Sequence, residues 1–211
     1  MTGHRMPFIL ASASPARLTT LRAAGIDPVV RVSGVDESAV IAPDPEALVC
    51  ALAARKADAV LREVGTARDL VLVGCDSVLD VEGRAAGKPG SDPAVRELWS
   101  VLRGRQADLV TGHHVVVVRD GEVSTCTRAA RTTVTFAAVS DAEIEAYIAT
   151  GEPQQVAGGF TIDGRGGAFI SEVTGDPHTV VGISVPLLRT VLADLGIAWT
   201  SLWSNGGNGD E

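Results

Sequence analysis

The chain has 211 residues, of which 45% are hydrophobic, 21% charged and 4% aromatic, so it can bury a sizeable core built mainly from Ala, Val, Leu and Ile. Its formal net charge is -8 and it has no Lys/Arg run, which excludes a broad nucleic-acid or anionic-membrane surface but leaves room for a small phosphate ligand held by a few local cations. Cys50, Cys75 and Cys126 are odd in number and far apart, which argues against a zinc site or a disulfide framework and for a reducing, cytoplasmic setting. The apolar stretch at Phe8 is shorter than a signal-peptide core, and no run approaches the roughly 18 apolar residues of a membrane span.

Residues 8–11 read as a short strand, followed by a Ser-rich turn and a helix with Ser14 as cap, Pro15 at its first position and Gly25 past its end. A second helix starts at Asp44-Pro45-Glu46 and runs to about Val64. Residues 70–75 form a continuous apolar run, the pattern of a buried strand, and residues 78–85 a hairpin turning near Glu82-Gly83. Asp92-Pro93 opens a helix to about Arg103. Strands over 109–118 and 123–136 flank Asp120-Gly121, a strong hairpin signal. Ser140-Asp-Ala-Glu143 is a capping box opening a helix to Thr150. Residues 151–167 are Gly-rich and too long for a plain connection, so they are a candidate binding loop. A strand over 169–173 and a helix over 185–195, capped by Ser184, complete one domain spanning 1–203; the Gly/Asn/Asp-rich tail at 204–211 is expected to be disordered. Alternating helices and strands define an α/β class with a mixed sheet.

Several residues invite chemistry. In Ser12-Ala-Ser14-Pro-Ala-Arg17, two hydroxyls and a cation sit at a helix N-terminus, whose free N–H groups and dipole suit phosphate. Asp36-Glu37 offers oxygen ligands to a hard cation, or is a solvated acidic pair. Lys56 shares a helical stripe with Leu48, Val49, Leu52 and Val60, from which it either snorkels outward or enters a cleft. Asp76 closes the buried run at 70–75, where a partly desolvated carboxylate suits a general base or metal ligand. Its neighbour Cys75 has no His partner nearby and reads as a small core residue. Lys88 lies in the turn Gly87-Lys88-Pro89, which is not a phosphate-binding P-loop. Asp163 and Arg165 fall in the Gly-rich loop, where a base or sugar could be read. His113 and His114 are adjacent on a strand and so face opposite ways, which makes a paired metal site improbable. His178 has no assignable role.

In order along the chain, Leu10-Ala-Ser-Ala-Ser-Pro-Ala-Arg17, Val35-Asp-Glu37, Leu52-Ala-Ala-Arg-Lys56-Ala, Gly74-Cys-Asp76-Ser-Val, Gly87-Lys88-Pro and Gly151-Glu-Pro with Ala157-Gly-Gly-Phe, Gly175-Asp and Val181-Gly resemble the Maf family of nucleoside triphosphate pyrophosphatases, named for a link to septum formation. The similarity spans about residues 8–198. It implies a long bent mixed sheet flanked by helices, with a cleft between two lobes, as in inosine-triphosphatase-like proteins. It also implies a divalent cation, Mg²⁺ or Mn²⁺, and cleavage between the α- and β-phosphates. Carried over by position, Asp76 would accept a proton beside the cleft cations Lys56 and Lys88. Ser12, Ser14, Arg17, Ser77 and Asp163 would meet the substrate, and Glu37 with Asp76 the metal.

The departures are Ala16 where Arg is frequent, Ser77 where Thr is usual, Gln155 where Asp is frequent, and Asp163 in place of Gln. They leave the base preference open. The rival reading is a non-catalytic, nucleotide-binding regulator of cell division, which would keep the cations without needing Asp76 and Glu37. Trp99, Trp203 and the hairpin are candidates for the interior or for a homodimer contact.

Overall fold

A computed structural model describes residues 6–204, so all of the expected disordered tail except Ser204 lies outside the described residues. Strands β1 (Phe8–Ala11), β2 (Val29–Val30), β3 (Leu70–Val81), β4 (Arg84–Ala86), β5 (Gln106–Arg119), β6 (Glu122–Phe136) and β7 (Ile170–Thr174) form one sheet in the order β2-β1-β3-β5-β6-β7, with β4 also beside β3. β1 is parallel to β2 and β3, and every other pairing is antiparallel. The helices are α1 (Pro15–Ala23), α2 (Pro45–Val64), α3 (Asp92–Leu102), α4 (Asp141–Ile148), α5 (Pro177–Val181) and α6 (Val185–Asp194). Their starts are encoded locally. Ser14, Asp44 and Ser184 accept the backbone N–H of Arg17, Ala47 and Leu187, and Ser140 with Glu143 completes a capping box.

The main departure from the sequence reading is β3. It does not stop at Cys75 but runs on through Asp76 and Ser77 to Val81, because each residue from Leu70 to Asp80 has a partner on β5. Cross-strand hydrogen bonding outweighs two polar residues of low strand propensity. β2 and α5 are additional short elements, and residues 151–167 fold into tight 3₁₀ turns rather than an open loop.

Alternation along the long strands builds two separate apolar clusters on one face. At one end Val71, Val73 and Cys75 of β3, with Val115 and Val117 of β5, pack under Leu21 of α1 and Leu188 and Val191 of α6. At the other end Leu79, Leu109 and Val134 meet Trp99, Phe136, Tyr147 and Phe160. Trp99 is fully buried, donates to the Gly159 carbonyl at 2.9 Å and meets three aromatic rings edge-on, so it belongs to the interior; Trp203 is 49% exposed. Between the clusters the same face turns polar, with Ser77, Thr111, His113 and Thr132.

The opposite face is covered by α2, whose Val49, Ala57 and Val60 pack on Val78, Val110, Leu72 and Val116. Two glycines let it come close. A Cβ on Gly74 of β3 would strike the Ala53 carbonyl, and one on Gly112 of β5 would strike the backbone of Val49 and Cys50. Helix and sheet therefore meet backbone to backbone.

Candidate active site

β5 occupies one edge of β3 along nearly its whole length. On the other edge β1 pairs with residues 71–74 and β4 with residues 79–81, so residues 75–78 face a gap between two strands. A cleft of about 890 Å³ opens there, and both Asp76 and Ser77 line it. The strand brings one side chain to each side of the gap: Asp76 toward α2, Ser77 toward α1 and α5.

On the α1 side, the turn after β1 places Ser12, Ser14 and the N-terminal end of α1 at the cleft. Arg17 is only 9% exposed and its guanidinium is largely committed to protein. Nε donates to the Gly182 carbonyl at 2.7 Å, Nη1 to Ser12 Oγ at 2.9 Å and to the Cys75 carbonyl at 3.0 Å, and Nη2 to Ser77 Oγ at 3.0 Å. It ties α1, β3 and the end of α5 together. Cys75 beside it is fully buried, and that burial pushes its thiol up to about 11, which leaves it an inert core residue.

On the α2 side, Lys56 turns inward. Its Nζ lies 2.6 Å from Asp76 Oδ1 and 2.7 Å from Glu37 Oε1, the latter carried by the loop before α2. Lys56 and Asp76 are each 8% exposed, whereas the Glu37 side chain is 56% exposed. The pair forms because Gly74 and Gly112 seat α2 so close to the sheet, and Gly112 is the register partner of Asp76 itself. Burial, opposed by the charge and hydrogen bond of Lys56, raises the Asp76 carboxyl above its ordinary value.

The third wall is the turn carrying Lys88 and the stretch 155–163. Gly158 N–H donates to the Gly87 carbonyl and Gly90 N–H to the Gln154 carbonyl, each at 3.0 Å, which staples the two together. Lys88, Gln155 and Asp163 are exposed at the cleft, and Arg165 is exposed just beyond Asp163. Glu152 organises the stretch from behind. It accepts from Tyr147 Oη at 2.8 Å, Thr161 Oγ1 at 2.7 Å and the backbone N–H of Arg165 and Gly166. Partial burial works against its charge, but these donors hold its carboxyl down at about 2.

The residues singled out in the sequence thus line one cleft: Ser12, Ser14, Arg17, Glu37, Lys56, Asp76, Ser77, Lys88 and Asp163. His113 and His114 do face opposite ways. His113 Nε2 accepts from the Ser184 backbone N–H at 2.8 Å; burial and the nearby Arg17 charge hold it down at about 4. His178 is exposed beside Asp176. The sequence did not point to Gly112 or Thr111, and it offered Glu152 and Gly182 only as members of motifs without a role; their parts emerge from register and packing. Two glycines within runs of β-branched residues were the available signal for the first.

Could the site hold a divalent cation? Glu37 and Asp76 both meet the Lys56 ammonium, at 2.7 and 2.6 Å, so a cation shared by the two would have to displace Lys56 Nζ, and among the described residues no group of three His, Cys, Asp or Glu could hold one. Two carboxylates completed by phosphate oxygens and water is a donor set that suits Mg²⁺.

Fold and site together define an α/β protein with a polar cleft, lined by a buried Lys–Asp pair and a hydroxyl-rich helix N-terminus. The chain belongs to the Maf-like protein family, whose model matches residues 7–195. It is similar to proteins named nucleoside triphosphate pyrophosphatase from Saccharopolyspora erythraea, 56% identical over 94% of this chain and 97% of that one, and from Cutibacterium acnes, 51% identical over 93% and 94%. A third, from Rhodococcus opacus, is 50% identical over 96% of this chain and 99% of its own. Among the described residues no helix is long and apolar enough to cross a membrane.

Proposed function

We propose that the chain hydrolyses nucleoside triphosphates to the monophosphate and pyrophosphate. The observation that carries this reading is the buried carboxylate of Asp76, set at the cleft within 2.6 Å of Lys56 and facing the α1 turn. It agrees with the names of relatives that align over nearly their full length.

Attack on a phosphorus atom is opposed by the negative charge around it. Lys56 and Lys88 supply cations on two walls, and the positive end of the α1 dipole lies at the third. A divalent cation held by Glu37 and Asp76 would add Lewis-acid screening of the phosphate oxygens. Asp76 takes one proton from the attacking water, whose oxygen bonds to phosphorus as the bond to the bridging oxygen between α- and β-phosphates breaks. Pyrophosphate leaves with its charge screened. Asp163 and Gln155, exposed at the cleft, would contact the base, with Glu152 bracing the stretch behind them.

The test is product analysis with a panel of ordinary and base-modified nucleoside triphosphates, with and without Mg²⁺ or Mn²⁺. Pyrophosphate and monophosphate should form only with metal, and Asp76→Asn should lower kcat by roughly 10²–10⁴-fold, the range of one general base. Release of orthophosphate, or tight binding without turnover across the panel, would overturn the reading.

A further inference from the structure

One ammonium answers for both carboxylates at the cleft. Lys56 Nζ spends one hydrogen on Asp76 Oδ1 at 2.6 Å and one on Glu37 Oε1 at 2.7 Å, which leaves a third for a ligand. The other buried cation, Arg17, lies across β3. Its guanidinium ends on Gly182, Ser12, Cys75 and Ser77, and Ser77 Oγ meets Thr111 Oγ1 at 2.8 Å, so those donors are spent away from Asp76. A carboxylate buried as deeply as Asp76 needs a counter-charge in the ligand-free protein, and Lys56 provides it.

That contact competes with any divalent cation shared by the same two oxygens. At the usual distance of about 2.1 Å from each, the ion would lie within about 5 Å of Nζ, drawing on the same lone pairs and repelled by the ammonium. Lys56 needs another acceptor before it can leave, because a buried ammonium without a partner is costlier still. Phosphate oxygens are such acceptors, and Lys56 lines the cleft that would receive them. The charges agree. Lys56, Glu37 and Asp76 together carry one excess negative charge, a divalent cation would reverse its sign, and a triphosphate absorbs the surplus.

We infer that Lys56 is a resident counter-cation, exchanged for the divalent ion only as the triphosphate arrives. Lys56 holds Glu37 and Asp76 in the ligand-free protein and moves from them to the phosphates when the nucleotide binds. The site therefore takes its cation together with the nucleotide, as a metal–triphosphate complex, and not beforehand. Each ligand then binds more tightly in the presence of the other. This inference rests on the pyrophosphatase reading for its two ligands.

The test is Mn²⁺ binding by the whole chain without nucleotide, followed by the electron paramagnetic resonance signal of the free ion. Unaltered protein should bind it weakly. Lys56→Met, which removes the competing charge, should bind it about tenfold more tightly or better, and adding Glu37→Gln to that variant should abolish the gain. Glu37→Gln alone changes an exposed side chain and keeps the fold. It should leave nucleotide-free binding as weak as before, yet weaken Mn²⁺ binding once an α,β-methylene triphosphate analogue is bound. Mn²⁺ held by unaltered protein as tightly as by Lys56→Met, or lost from nucleotide-free protein on Glu37→Gln alone, would overturn the exchange and leave pyrophosphate release in place. If instead no triphosphate yields pyrophosphate while the Mn²⁺ pattern is as expected, the reaction falls and the exchange stands.

Discussion

Asp76 is an uncommon carboxylate, buried enough that its charge is disfavoured yet held within 2.6 Å of a buried ammonium. The raised pKa fixes the sign of two pH effects. As a base it must be ionised, so the acid limb of kcat/KM should lie above the ordinary Asp value of 3.8. The folded state also holds this proton more tightly than the unfolded chain does. Ionisation therefore costs the fold stability as pH rises from the ordinary value through the raised one, and that cost is absent below both. Melting temperatures of wild type and Asp76→Asn, compared from about pH 4 to about pH 7, should move in favour of the variant as pH rises. A difference that is flat or moves the other way would mean that Lys56 outweighs burial at this position.

At the scale of elements, the decisive fit is α2 against the sheet over Gly74 and Gly112. A side chain at Gly112 would meet backbone atoms of Val49 and Cys50, which no rotamer change relieves, so the helix itself must move. Gly112→Ala should destabilise the protein by about 1–3 kcal/mol in chemical denaturation, the usual range for an overfilled core. It should also lower turnover by roughly 10²-fold, because a shift of order 1 Å carries Lys56 off Asp76. Unchanged kcat in that variant would separate the helix seat from the chemistry. This element also marks how far the sequence could be read. Helix starts were legible because caps such as Ser14, Asp44 and the Ser140–Glu143 box act within four residues. The passage of β3 through Asp76 was not, because β5, some thirty residues on in the chain, supplies the partners that extend it. Likewise, Asp76, Lys56 and Lys88 stand out as charged residues in apolar or rigid settings. Thr111 and Gly112 sit unremarked in a β-rich run and acquire meaning only across the sheet.

For the whole molecule, the cleft lies where two apolar clusters built on the same strands fall short of each other. A ligand there touches the α1 turn and the Lys88 turn at once, so it should stabilise both clusters together. A nucleoside triphosphate analogue with a non-hydrolysable α–β bridge at ~100 times its Kd should add about 2.7 kcal/mol to unfolding. One calorimetric transition should shift as a unit, and two transitions of which one stays put would contradict this. The continuity of β3 also bears on the lengths this chain tolerates. Slipping the strand by one residue turns Asp76 toward Arg17 and Ser77 toward α2, and in the same move swings Val71, Val73 and Cys75 out of their cluster. Insertions and deletions are therefore shut out of residues 70–81 twice over, by chemistry and by packing, and belong in turns such as Asp120-Gly121, away from the cleft, where no strand keeps count.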